Sequence, residues 1–246
     1  MPACLPLLRL ALAAAALALV PCGAQASTTL YDPALGTPPS AQGWSPLALG
    51  GVASQGVAGG VYALDTTGAG VSIWGNGRVS PVLLDTQAGF DLSFSLQLLG
   101  ETHTSPNRSG YSLLLVGAQA SRALELDFWA DHRWAQNYDA SQPDRFMHDT
   151  GVAFDTTAAL TRYTLAVRQQ QFTLPASGLA LLSGALRNYT PGGLPYTTPN
   201  FLFLGDNSSR GNSISHLGAV SLSPVPEPSV ALLLAMGLAG LALRRR

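Results

Sequence analysis

Lysine is absent from the 246-residue chain, and all 13 basic residues are arginine. This excludes a phosphate-loop lysine, a lysine Schiff base and a lysine general base. Charge of either sign is sparse, at 11% of residues and a net −1. That balance provides no basic face, so no nucleic-acid partner is expected. Cysteine is nearly absent, with only Cys4 and Cys22. No Gly-x-Ser-x-Gly elbow occurs, so a serine hydrolase has no local support. The four histidines, His103, His132, His148 and His216, lack the short spacing of a zinc site. His132 and His148 stand beside Asp131 and Asp149, where surface ion pairs are expected.

The two long apolar runs lie at the ends. Arg9, the run Leu10 to Val20 and the small residues Ala24 and Ala26 read as a signal peptide over 1–26, cut by signal peptidase after Ala26. Lipidation at Cys22 is the alternative, disfavoured by Pro21. Removal of this segment takes both cysteines with it. Disulfides, cysteine nucleophiles and Cys-ligated metals are then excluded, and the body must rely on its apolar core. At the other end, Pro226-Glu227-Pro228 precedes 14 apolar residues, Val230 to Leu243, and then Arg244, Arg245 and Arg246. The run is short of the ~20 residues of a comfortable span. Snorkelling of the terminal arginines, held on the cytoplasmic side, makes it long enough.

This tail, residues 224–246, resembles the PEP-CTERM sorting signal of Gram-negative bacteria that make exopolysaccharide. The matching features are the Pro-Glu-Pro motif, the apolar helix and the arginine cluster, in that order. The resemblance implies an exosortase-type membrane protease as partner and cleavage near Pro226, Glu227 and Pro228. It also implies a transient inner-membrane anchor, then delivery to the outer surface or extracellular matrix. An ordinary C-terminal membrane anchor is the alternative.

Between 27 and 223 lie nine arginines and 13 acidic residues, a mildly acidic balance that suits an exported domain. Apolar residues here recur with period two, which predicts strands. Phe90, Leu92, Phe94, Leu96 and Leu98 share one face, as do Tyr163, Leu165 and Val167. Gln169 and Gln170 then predict a hairpin into Phe172-Thr173-Leu174. Further strands are predicted at Thr29 to Tyr31, Tyr111 to Val116, Ala123 to Trp129, Asn200 to Leu204 and Ile214 to Leu222. Short strands with frequent turns indicate an all-β antiparallel sandwich or barrel, each sheet with one buried and one wet face. The glycine-rich stretch 50–60 reads as a flexible loop, Gly75-Asn76-Gly77 as a hairpin turn, and Ala158-Ala159-Leu160 as a helical turn. The body resembles the laminin G-like or concanavalin A-like jelly roll of bacterial "choice-of-anchor" proteins. The likeness rests on Gln42-Gly43-Trp44, Leu126-Asp127-Phe128-Trp129, Trp134-Ala135-Gln136-Asn137 and Phe201 to Asn207.

Chemistry concentrates at Glu125-Leu126-Asp127-Phe128-Trp129-Ala130-Asp131. On a strand, Glu125, Asp127, Trp129 and Asp131 share one face, predicted to be solvated. Paired carboxylates beside an aromatic suit glycoside hydrolysis, and the start resembles the Glu-x-Asp pattern of jelly-roll glucanases. The family's second glutamate falls at Trp129 or Ala130, neither of which ionises. The preferred expectation is therefore non-catalytic: Trp129 and Trp134 stack on sugar rings while Asp127 and Asn137 bind hydroxyls of an exopolysaccharide. A jelly-roll glycoside hydrolase using Glu125 and Asp127, and a purely structural coat or biofilm protein, are the alternatives. No cofactor is expected except Ca²⁺, which the fold resemblance allows. Asp206, Asn207, Asp139 and Asp144 are the candidate ligands, though all four are also turn formers.

Overall fold

A computed structural model describes residues 26–225, apart from 69, 143–144 and 177–178. Ala24, Pro226, Glu227, Pro228 and Arg244 to Arg246 lie outside the described residues, as does Asp144. Among the described residues no helix is long and apolar enough to cross a membrane, and the predicted C-terminal span falls outside them. Ala26 is exposed and lies two residues before the first strand.

The strands, in chain order, are β1 (Thr28–Tyr31), β2 (Ser45–Leu49), β3 (Ser54–Ala58), β4 (Val61–Asp65) and β5 (Ile73–Val79). Then come β6 (Phe90–His103), β7 (Ser112–Val116), β8 (Ala123–Phe128), β9 (His132–Tyr138) and β10 (Phe146–Ala153). The last are β11 (Thr161–Arg168), β12 (Gln171–Ala176), β13 (Leu179–Ala185), β14 (Phe201–Asp206) and β15 (Gly211–Pro224). They form two antiparallel sheets. One runs β13-β12-β11-β6-β15-β4-β3, with β1 also paired to β15; the other runs β10-β9-β8-β7-β14-β5-β2. This is the all-β sandwich that the period-two pattern predicts.

Alternation explains the eight-stranded sheet directly. In β6, Phe90, Leu92, Phe94, Leu96 and Leu98 are all buried while the residues between them are half-buried. They meet Leu113, Leu115, Leu124, Leu126, Phe128, Leu202 and Leu204 of the other sheet in one core. Phe94 stacks on Tyr163 at 5.1 Å and meets Phe128 edge-on at 6.2 Å. The β11–β12 hairpin forms as expected: Arg168 pairs with Gln171, and Gln169 and Gln170 both take positive φ, the two-residue turn that follows strand twist.

The seven-stranded sheet departs from the expectation of one wet face. Strands β7, β8 and β14 are buried at every residue. Their second face carries another apolar cluster, in which Leu114, Val116, Phe201 and Phe203 pack against Tyr189 and Tyr196 from the segment between β13 and β14. Cover on both sides is why β7 and β14 read as near-continuous apolar runs, while β8 carries Glu125 and Asp127 on its second face.

Three local expectations are corrected. The stretch 50–60 is not a loop throughout, because it contains β3, an edge strand turned into β4 by Gly59 and Gly60 at positive φ. Gly75-Asn76-Gly77 is the middle of β5, not a turn, and is paired on both sides by β2 and β14. A Cβ at Gly75 would stand 2.4 Å from the Phe203 ring, and one at Gly77 would stand 2.7 Å from Phe201. Those glycines answer aromatic rings across the ladder. Ala158-Ala159-Leu160 forms bends without helix.

Candidate functional site

The site lies on the face of the seven-stranded sheet turned away from the main core. Cross-strand register sets one row there: Leu47, Gly75, Gly205, Ser112, Asp127, Trp134 and Gly151. The next row carries Gly77, Phe203, Leu114 and Glu125. The two carboxylates of the Glu-x-Asp pattern thus share a face, as their spacing requires. The expectation that this face is solvated is corrected: Glu125 is 0% and Asp127 1% exposed.

Both carboxyls are tied into the structure. Glu125 Oε1 accepts from Asn207 Nδ2 and Oε2 accepts from the Tyr196 hydroxyl, each at 2.9 Å. Asn207 Nδ2 also donates to the Tyr196 oxygen at 2.9 Å, which closes a three-residue ring. Asp127 Oδ1 accepts from the hydroxyls of Ser109 and Ser112. Burial pushes the Glu125 carboxyl up to about 7, with Arg108 pulling it down and Asp127 pushing it further up. Burial raises Asp127 as well, against the pull of Arg108 and the two serines. Burial opposes the charge on Arg108, but Glu125 and Asp127 outweigh it, and the guanidinium is held above its ordinary value. Its Nη2 donates to the Asn207 carbonyl, and the group lies 5.0 Å over the Phe146 ring.

Above this layer open two adjoining cavities. One, of about 370 Å³, is lined mainly by apolar groups that include Leu47, Leu49, Pro195, Phe203, Phe146 and Tyr196. The other, of about 230 Å³, is lined by Asn207, Ser208, Ser209 and Arg210. Ile73, Arg108, Phe146 and Asn207 line both. Glu125 and Asp127 line neither, so they support the cleft from beneath. Arg108, Phe146 and Tyr196 had no local signal in the sequence. They come from a loop, an edge strand and the segment before β14, and only folding unites them.

The tryptophans lie to one side. Trp134 is 0% exposed, and His148 stacks on it at 4.2 Å, which corrects its reading as an open sugar platform. Trp129 is half-buried, with His103 stacked on it at 4.2 Å and its indole N–H donated to the Arg108 carbonyl. It braces the Arg108 loop. Asn137 is exposed on β9. The ion pair predicted at His148 is also corrected, since Asp149 pairs with Arg187 instead, and none joins His132 to Asp131 among the described residues.

Each described Ca²⁺ candidate is engaged in other hydrogen bonds. Asp206 is buried, its Oδ1 accepts from the Ser208 N–H at 3.0 Å, and burial pushes its carboxyl up to about 8. Asn207 is engaged with Glu125 and Tyr196. Asp139 is held by Ser141, its Oδ1 accepting from that residue's N–H at 2.9 Å and hydroxyl at 2.7 Å, a turn-forming role. Among the described residues no group of three or more His, Cys, Asp or Glu side chains is placed to hold a metal ion.

Comparison with known proteins bears on the sandwich and on the tail. A carbohydrate esterase from the Shiga toxin-encoding bacteriophage phi24B has a similar fold, with TM-score 0.55, 16% identity, and 81% of this chain and 99% of that one covered. At that identity the likeness shows the fold alone. Alginate lyase A1-II′, of polysaccharide lyase family 7, matches at TM-score 0.48 and 13% identity over 80% of this chain and 100% of that one. The Ca²⁺-bound lumenal domain of VIP36 matches at 0.48 and 11% over 82% and 92%. No curated protein sequence matches the chain. Residues 224–246 match the PEP-CTERM protein-sorting motif, which marks an exported protein handled by an exosortase. The chain is thus an antiparallel β-sandwich carrying a C-terminal PEP-CTERM sorting motif.

Proposed function

We propose that the sandwich is a non-catalytic surface or matrix module that binds polysaccharide in the cleft above Arg108, after exosortase cleavage near Pro226-Glu227-Pro228 frees it from a transient inner-membrane anchor. The observation that carries this reading is the pairing of the two cavities. Aromatic and aliphatic walls suit the apolar faces of sugar rings, while Arg108, Asn207 and the serines beside it offer the few polar groups that orient hydroxyls. The contact residues of this reading are Phe146, Tyr196, Arg108 and Asn207; Asp127, Trp134 and Trp129 act as supports. The buried carboxylates argue against a glycoside hydrolase, because both oxygens of Glu125 are already bonded and neither acid lines the cleft.

The test is a glycan array with the full chain in detergent, run with Ca²⁺ and with EDTA. Binding under both conditions is expected, weakened at least about tenfold in Arg108→Ala and Phe146→Ala. Loss of binding in EDTA would overturn the metal-independent reading. Absence of binding would leave a structural coat protein. Shortening of a bound polysaccharide, followed by size-exclusion chromatography, would overturn the non-catalytic one.

A further inference from the structure

Away from the cleft, β9 and β10 bring two imidazoles together over a glycine. Ladder register places Trp134 opposite Gly151, with His132 two pairs along on one side and His148 on the other, past a bulge. All lie on the outer face. Gly151 carries no side chain between the two histidines, and both rings lean into the space it leaves. His132 Nε2 lies 2.5 Å and His148 Nε2 3.0 Å from where a Cβ on Gly151 would stand. The ring centroids are 5.5 Å apart. Any other residue at 151 would fill the gap that the two nitrogens face.

We propose that His132 and His148 form a two-imidazole site for a divalent transition-metal ion, with Cu²⁺ held more tightly than Zn²⁺ and water completing the coordination. Imidazole is a borderline ligand suited to Cu²⁺, Ni²⁺ and Zn²⁺, and Cu²⁺ heads the affinity order for nitrogen sites. Ca²⁺ and Mg²⁺ prefer oxygen donors and are excluded from it. Trp134 stacks on the face of the His148 ring at 4.2 Å, and the His148 backbone N–H donates to Asn107 Oδ1 at 2.9 Å, so the ring is held in place. Burial and the neighbouring His132 lower its pKa, which favours the neutral ring a metal requires. Both side chains are half-buried, so an ion reaches them from solvent. Asp149, the nearest acid in sequence to His148, is engaged by Arg187 and does not compete.

The experiment is titration of the full chain, free of any histidine tag, with Cu²⁺, Zn²⁺ and Ca²⁺, followed by calorimetry and tryptophan fluorescence. Cu²⁺ is expected to quench emission at one equivalent, because Trp134 and Trp129 lie 4.2 Å and 5.1 Å from the His148 ring. Electron paramagnetic resonance should show two coordinated nitrogens. His132→Gln and His148→Gln should each weaken Cu²⁺ binding at least about tenfold, while His103→Gln and His216→Gln leave it unchanged. Circular dichroism checks that each variant is folded. Should His148→Gln misfold, the half-exposed His132→Gln carries the test alone. Equal Cu²⁺ binding by wild type and His132→Gln, or none by wild type, would overturn the site. Tighter Ca²⁺ than Cu²⁺ binding would do the same. Glycan binding tests a different set of residues, so the two proposals fail independently.

Discussion

Glu125 keeps its proton up to about pH 7 because water cannot reach it, and this makes stability depend on pH. In an unfolded chain the same carboxyl titrates near 4.3. Between those values the folded state binds more protons than the unfolded state, so stability is full in acid and falls as pH rises. Asp206, raised to about 8, and Asp127, raised by burial, push in the same direction. The melting temperature is therefore expected to fall between pH 5 and pH 8. Glu125→Gln should flatten that fall, since the amide keeps an acceptor for Tyr196 or Asn207 and never ionises. The Glu125 share is on the order of 4 kcal/mol at most. Thermal melts of both proteins across that range decide it, and a parallel pair of profiles would count against it.

At the scale of the element, β5 is held by what it lacks. Gly75 and Gly77 let β5 lie under the rings of Phe203 and Phe201, which cover the outer face. Gly75→Ala would place a Cβ 2.4 Å from Phe203 and 2.7 Å from the Leu204 carbonyl, so both ring and strand must move. Overpacking of this kind typically costs 1–3 kcal/mol. Because Phe203 also walls the larger cavity, the variant should lose glycan affinity along with stability. Denaturant unfolding together with array binding reads both. The strand also shows why a Gly-Asn-Gly triplet misleads: its turn signal is local, while the rings that account for the glycines come from a strand more than 120 residues away.

For the whole molecule, the proposed delivery rests on the tail and the proposed binding on the sandwich. Changing Pro226, Glu227 and Pro228 together to alanine should leave the chain in the inner-membrane fraction of its exosortase-bearing host, with the sandwich folded. Fractionation and immunoblotting would show this, and undiminished surface or released protein would contradict it. Phe90 to Leu98 and Tyr163 to Val167 were legible as strands because alternation reports one buried face. Strands β7, β8 and β14 were legible as strands, but their second buried face was not. The Tyr189 and Tyr196 cover comes from a segment with no periodicity of its own. The same cover turned the expected wet carboxylates into buried ones.

By itself the sequence determined what depends on neighbours along the chain: the C-terminal sorting motif, the period-two strands and the absence of lysine. Hydrophobic length, a Pro-Glu-Pro motif and terminal arginines act as linear marks, and strand alternation follows from backbone geometry alone. Only the tertiary structure decided that Arg108, Phe146, Tyr196 and Asn207 line one cleft and that His132 and His148, 16 residues apart, meet over Gly151. The physical reason is that both sites are made across strands and between loops. There the register of the ladder and the presence or absence of a Cβ, rather than spacing in the chain, decide which side chains can touch.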